Sequence, residues 1–138
     1  TSGGKYVAPQ HIEGAIKAAC PLLSQVLVHG DRRNFCSALI TIEPESLDAW
    51  TEQNNLTAVQ MPELASHPAL VAHAQSAMDS VNATLPKYAT IKKFAILTAD
   101  LSIEGGELTP SMKVKRKIVE KRNMAILDSF YDGSIASI

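Results

Sequence analysis

Two segments carry residues whose types and spacing could do chemistry. The first is Glu107-Leu108-Thr109-Pro110-Ser111-Met112-Lys113-Val114-Lys115-Arg116-Lys117, a turn stiffened by proline that delivers a lysine just ahead of a cationic helix. An ammonium on such a loop is a mobile point charge, suited to negative charge that builds on phosphate and carboxylate oxygens. The second is Ser2-Gly3-Gly4-Lys5-Tyr6-Val7-Ala8-Pro9, which leads into a helix carrying Glu13. Paired glycines let the backbone take left-handed angles and let another chain or a ligand approach it closely. From spacing alone, a solvated helix face is the favoured reading of the first segment and a plain loop that of the second.

Other catalytic kits do not assemble. There is no phosphate-binding P-loop, no metal-spaced ligand set and no Ser/His/Asp constellation. His11, His29, His67 and His73 fall on different elements and read as surface or satisfied, partly buried residues. Cys20 and Cys36 lack a partnering cluster and read as reduced core residues.

Charge is unevenly placed. Residues 1–112 hold 7 Lys/Arg and 11 Asp/Glu, whereas residues 113–122 hold 6 basic residues and the single acid Glu120. The net charge of -1 over 138 residues and the absence of an aromatic stacking motif argue against a nucleic-acid-binding module, the alternative that this basic run raises. No apolar run reaches the length of a membrane span and no signal segment opens the chain. The opening on Thr1-Ser2-Gly3-Gly4, without methionine, reads as a piece of a longer polypeptide rather than a stand-alone interaction domain.

The elements that must position these segments follow from periodicity. Pro9, Ile12, Ile16 and Ala19 predict a helix over residues 9–20 stopped by Pro21. Gln25 to His29 and Phe35 to Glu43 predict a hairpin turned at Gly30-Asp31, with Cys36, Ala38, Ile40 and Ile42 on one face. Glu45 to Asn54 has helical character, and Asn55 to Pro62 reads as a connection. From Pro68, Leu70, Val71, Ala74, Ala77, Met78, Val81 and Leu85 mark the buried stripe of a long helix ended by Pro86. Ile91 to Leu97 predicts a strand, Ile103 to Leu108 a Gly-Gly turn, and Val114, Ile118, Val119, Arg122, Ala125 and Ile126 one final helix from about residue 115. The expected fold is a single α+β domain over residues 1–138, helices packed on a small sheet.

The two segments together resemble a known family. Ser2-Gly3-Gly4-Lys5-Tyr6-Val7-Ala8-Pro9-Gln10-His11-Ile12-Glu13 is similar to the glycine-loop motif that opens the C-terminal domain of adenylate-forming enzymes. Leu108-Thr109-Pro110-Ser111-Met112-Lys113-Val114-Lys115-Arg116 is similar to the motif carrying their C-terminal lysine, in the form found in long-chain acyl-CoA synthetases. Many members place glycine just before that lysine; Met112 stands here, an apolar choice that resembles the long-chain fatty acid branch.

The resemblance implies the C-terminal lid domain of a fatty acid–CoA ligase, its large N-terminal domain and hinge lying outside this sequence. It implies ATP and coenzyme A as substrates beside a fatty acid, with Mg2+ accompanying ATP and bound mainly by the large domain. Lys113 is then the catalytic residue of adenylation, while Gly3 and Gly4, with Lys5 beside them, shape the passage for the pantetheine arm of coenzyme A. The partner is the enzyme's own N-terminal domain, the fragment alone is expected to be inactive, and the expected setting is the cytoplasm, with peripheral membrane contact compatible. A fatty acyl-AMP ligase or a carboxylic acid reductase is the nearest alternative.

Overall fold

In a computed structural model, residues 8–30 and 33–131 are described. The first helix, α1 (Pro9–Ala19), is followed by strands β1 (Leu23–His29) and β2 (Cys36–Ile42), then by helix α2 (Pro44–Gln53). A short 3-10 turn at Glu63–Ser66 precedes helix α3 (Pro68–Asn82), strand β3 (Ile91–Ile96), and two short helices, α4 (Arg116–Arg122) and α5 (Met124–Ser129). This is the expected α+β class.

The starts of α1 and α3 were legible because proline marks them. Each of α1, α2 and α3 carries proline in its first turn, where its missing N–H is not needed. Two of the preceding caps are side chains: Glu43 accepts from the Ser46 N–H at 2.9 Å, and His67 Nδ1 accepts from the Ala69 N–H at 3.1 Å. The α3 stripe is buried at Leu70, Ala74, Ala77, Met78 and Val81, but the helix stops at Asn82, short of Leu85. There Asn82 exchanges two hydrogen bonds with the Ile91 backbone, which docks the helix end onto the first residue of β3.

The sheet order is β1-β2-β3, with β1 antiparallel and β3 parallel to β2. As expected, Cys36, Ala38, Ile40 and Ile42 face one core, shared with α1 and α3. The alternation does not announce the second face. All seven residues of β2 are buried, because Leu39, with Leu27 of β1, packs on Leu101, Leu108, Val119, Leu127 and Phe130. The C-terminal third of the chain thus wraps across the back of the sheet.

The final helix departs from expectation. It divides at Asn123, where the backbone leaves helical angles (φ -115°, ψ 21°) and the side-chain amide donates to the Val119 carbonyl at 2.8 Å. An asparagine that bonds its own preceding turn competes with the helical ladder. The break lets both Val119 and Leu127 reach the second core.

Candidate functional site: a lysine hairpin beside a basic groove

The Lys113 loop is a tight hairpin. Leu108 and Val114 form an isolated antiparallel bridge, the Thr109 N–H donates to the Lys113 carbonyl at 2.8 Å, and the Lys115 N–H donates to the Glu107 carbonyl at 2.8 Å. Between these arms a turn with Pro110 in its second position closes when the Met112 N–H donates to the Thr109 carbonyl, also at 2.8 Å. Thr109 Oγ1 accepts from the Lys113 N–H at 3.0 Å. The chain must then reverse its twist to enter the return arm, and Met112 does so with φ +68°. This is the left-handed position that a three-residue hairpin loop normally gives to glycine. The departure noted at Met112 therefore falls on the one residue of the loop whose backbone favours glycine.

Leu108 is 1% exposed and anchors the outgoing arm in the second core, a burial worth about 2 kcal/mol. Lys113 itself is exposed, with no hydrogen bond or ion pair to its side chain among the described residues. It stands beside a groove of about 400 Å3. One wall is Gln10, Glu13, Gly14 and Lys17, one face of α1 at helical spacing; the other is Met112, Lys113, Val114 and Arg116, with Gln25 and Val26 between. A second opening, lined by Ala8, Pro9, Gln10, His11 and Arg116, adjoins it.

At the inner end of the groove Glu13 meets Arg116. The guanidinium lies 3.0 Å and 2.9 Å from the two carboxylate oxygens and also donates to the Val28 carbonyl at 3.0 Å. The same carboxylate accepts from the Val28 N–H at 2.6 Å. Val28 lies on β1, an edge strand, so the ion pair satisfies backbone groups that the sheet leaves open. Burial pushes the Glu13 carboxyl above its ordinary range; the Val28 N–H and the Arg116 charge pull the other way without cancelling it. Lys17 and Lys113, without an ion pair among the described residues, give the groove a positive lining.

The basic run is thus not one solvated face. Arg116 turns inward, and Arg122 donates to the Gly105 carbonyl at 2.6 Å and lies 3.8 Å from Glu107. Lys115, Lys117 and Lys121 remain exposed.

Sequence reasoning missed a second polar cluster, on the back of the sheet. His29 Nδ1 lies 2.7 Å from a Glu120 carboxylate oxygen, and Arg33 Nε donates to His29 Nε2 at 3.3 Å. Arg33 also pairs with Asp128 and lies over the Tyr131 ring, 4.6 Å from its centroid. The Tyr131 hydroxyl donates to the Phe35 carbonyl at 2.7 Å and bonds Ser37 at 2.9 Å; burial raises its phenol above the usual range. These contacts fasten α4 and α5 to the hairpin.

Gly3, Gly4 and Lys5 lie outside the described residues. Among the described residues no group of three His, Cys, Asp or Glu side chains is arranged to hold a metal ion, and no helix is long and apolar enough to cross a membrane.

A family model described as the AMP-binding enzyme C-terminal domain matches residues 1–134. The chain is 41% identical over 133 residues to a long-chain-fatty-acid–CoA ligase of Mycobacterium tuberculosis, covering 96% of this chain and 22% of that protein. It is 35% identical over 152 residues to a human long-chain-fatty-acid–CoA ligase, covering 95% and 20%. Among solved structures, the adenylation domain of a carboxylate reductase from Mycobacterium chelonae shares the fold with a TM-score of 0.72 at 23% identity, over 95% of this chain and 19% of that one. The chain spans about a fifth of the length of the curated relatives it matches. With a family match across nearly all its residues and both motifs in their expected order, the chain belongs to the AMP-binding enzyme C-terminal domain family.

Proposed function

We propose that this chain is the C-terminal lid of an ATP-dependent long-chain fatty acid–CoA ligase and that Lys113 is its adenylation residue. A fatty acid carboxylate attacks the α-phosphorus of ATP and expels pyrophosphate. The thiol sulfur of coenzyme A then attacks the acyl carbon, and AMP leaves. In the first step the Lys113 ammonium contacts the carboxylate and phosphate oxygens as charge redistributes between them, a contact stronger in the transition state than before it.

The observation that carries this reading is Lys113, unpaired among the described residues, at the end of a rigid hairpin beside a groove with a positive lining. A charge meant for a substrate has to be held in place by its backbone and left free at its tip. The 41% and 35% identities to long-chain-fatty-acid–CoA ligases favour this acceptor over the fatty acyl-AMP ligase and carboxylic acid reductase alternatives. Gly3, Gly4 and Lys5 keep the role of shaping the pantetheine passage, in a second orientation of the domain against its large N-terminal partner. Any Mg2+ would accompany ATP and be held mainly by the large domain.

The test uses the full-length protein. Lys113→Ala should lower ATP–pyrophosphate exchange by roughly 100- to 1000-fold, the usual cost of one transition-state charge contact. Thioester formation from supplied acyl-adenylate should fall much less. Equal loss in both half-reactions refutes the role. Bulky residues at Gly4 should show the reverse preference, and the 138 residues alone should form no acyl-CoA.

A further inference from the structure

The internal bonds of the lysine hairpin fix its shape but not its direction. Direction depends on where its arms meet the rest of the domain. The outgoing arm is held by Leu108 in the second core and by a 3.8 Å approach of Arg122 to Glu107, with Arg122 half exposed and the pair correspondingly weak. The return arm runs from Lys113 through Val114 and Lys115 to Arg116, whose guanidinium reaches across to β1 and α1 at once. Val114 packs at the margin of the second core, and Arg116 adds a polar side-chain tie from that arm to β1 and α1.

Resting on the reading of Lys113 above, we infer that Arg116, gripped by Glu13, is a positioning residue for adenylation: it sets where Lys113 stands over the groove. The clamp also joins the lysine hairpin to α1, the helix that the glycine segment enters. When the domain turns between orientations, the two motifs then move as one body, and neither needs to be rebuilt. The fork geometry of arginine matters, because two of its nitrogens hold different elements. Glu13 is suited to the other half of the clamp because it is largely buried and its second duty, to the Val28 N–H, keeps its carboxylate from swinging away.

The experiment compares Glu13→Gln, Arg116→Met and Arg116→Lys in the full-length protein, each in an otherwise unchanged background and in a Lys113→Ala background. Glutamine keeps an acceptor for the Val28 N–H while removing the charge that grips Arg116, so this variant should fold with an unchanged thermal midpoint. ATP–pyrophosphate exchange should lose about 10- to 100-fold in kcat in Glu13→Gln and Arg116→Met, the scale expected when a reacting group is misplaced by about an ångström. KM for ATP should stay within about threefold, and Arg116→Lys should recover part of the loss, since a lysine keeps one of the two grips. In the Lys113→Ala background the same substitutions should cost nothing further. An equal fold-loss in both backgrounds, or no loss in either, overturns the inference. Normal adenylation by Lys113→Ala alone would instead overturn the role of Lys113.

Discussion

Glu13 and Arg116 are 103 residues apart in the chain, yet their side chains close to 2.9 Å and enclose both backbone polar groups of Val28. The first lies on the helix that follows the glycine segment and the second begins the helix that follows the lysine hairpin. One ion pair therefore connects the two motifs by which the family is recognised.

That burial has a pH signature. Burial raises the Glu13 carboxyl despite Arg116, and the neighbouring Glu120 charge pushes in the same direction. Because the folded group holds its proton more tightly than the unfolded one, its contribution to stability falls as pH rises from the ordinary carboxylate value, about 4.3, through the higher folded value. Glu13→Gln should flatten that part of the profile and leave stability near neutral pH within about 1 kcal/mol of the parent, because burial penalises the charge removed and the Arg116 left behind is about a third exposed. Glu13→Ala strands the Val28 N–H and should cost about 1–3 kcal/mol. Urea midpoints between pH 4 and pH 7 check both.

Met112 holds φ +68° in a turn whose other residues need no such angle. Met112→Gly removes the steric cost of that angle, about 1–2 kcal/mol, and gives part of it back as unfolded-state entropy, for a net gain of about 0.5–1 kcal/mol. Met112→Val should be destabilising, since a β-branched residue resists positive φ. Denaturant unfolding of the two variants should move in opposite directions.

Gly14 sits in the middle of α1, and a Cβ built there meets nothing within 4 Å. Gly14→Ala should stabilise the domain by roughly 0.5–1 kcal/mol through helix propensity alone. The methyl group projects toward the groove beside Lys113, so activity and thermal midpoint measured on the same variant separate the two consequences.

Cys20 and Cys36 are both buried, and burial pushes both thiols above their ordinary value. Neither should react with an aromatic disulfide at neutral pH except at the rate at which the domain opens. Cys36 is also packed against Gly30, where an added Cβ would come within 2.8 Å of its sulfur. Gly30→Ala should cost about 1–3 kcal/mol by overpacking and speed the labelling of Cys36. Thiol labelling with and without denaturant follows both effects.

The sequence alone determined whatever is local. Prolines marked the starts of α1 and α3, apolar spacing marked the buried stripe of α3, and alternation marked the face that β2 turns to the first core, because each signal is a property of consecutive residues. The two motifs, with Lys113 in one and Gly3 and Gly4 in the other, were likewise readable, since family resemblance is recorded in residue order. Tertiary structure decided the rest. The second buried face of β2, the parallel docking of β3, the break at Asn123 and the grip of Arg116 on Glu13 each depend on groups distant in the chain arriving together. No residue carries a mark of a partner 103 positions away, and an arginine bound for a buried carboxylate looks in sequence like any other in a basic run. Only the packing of α1 and α4 around the edge of β1 makes that distinction.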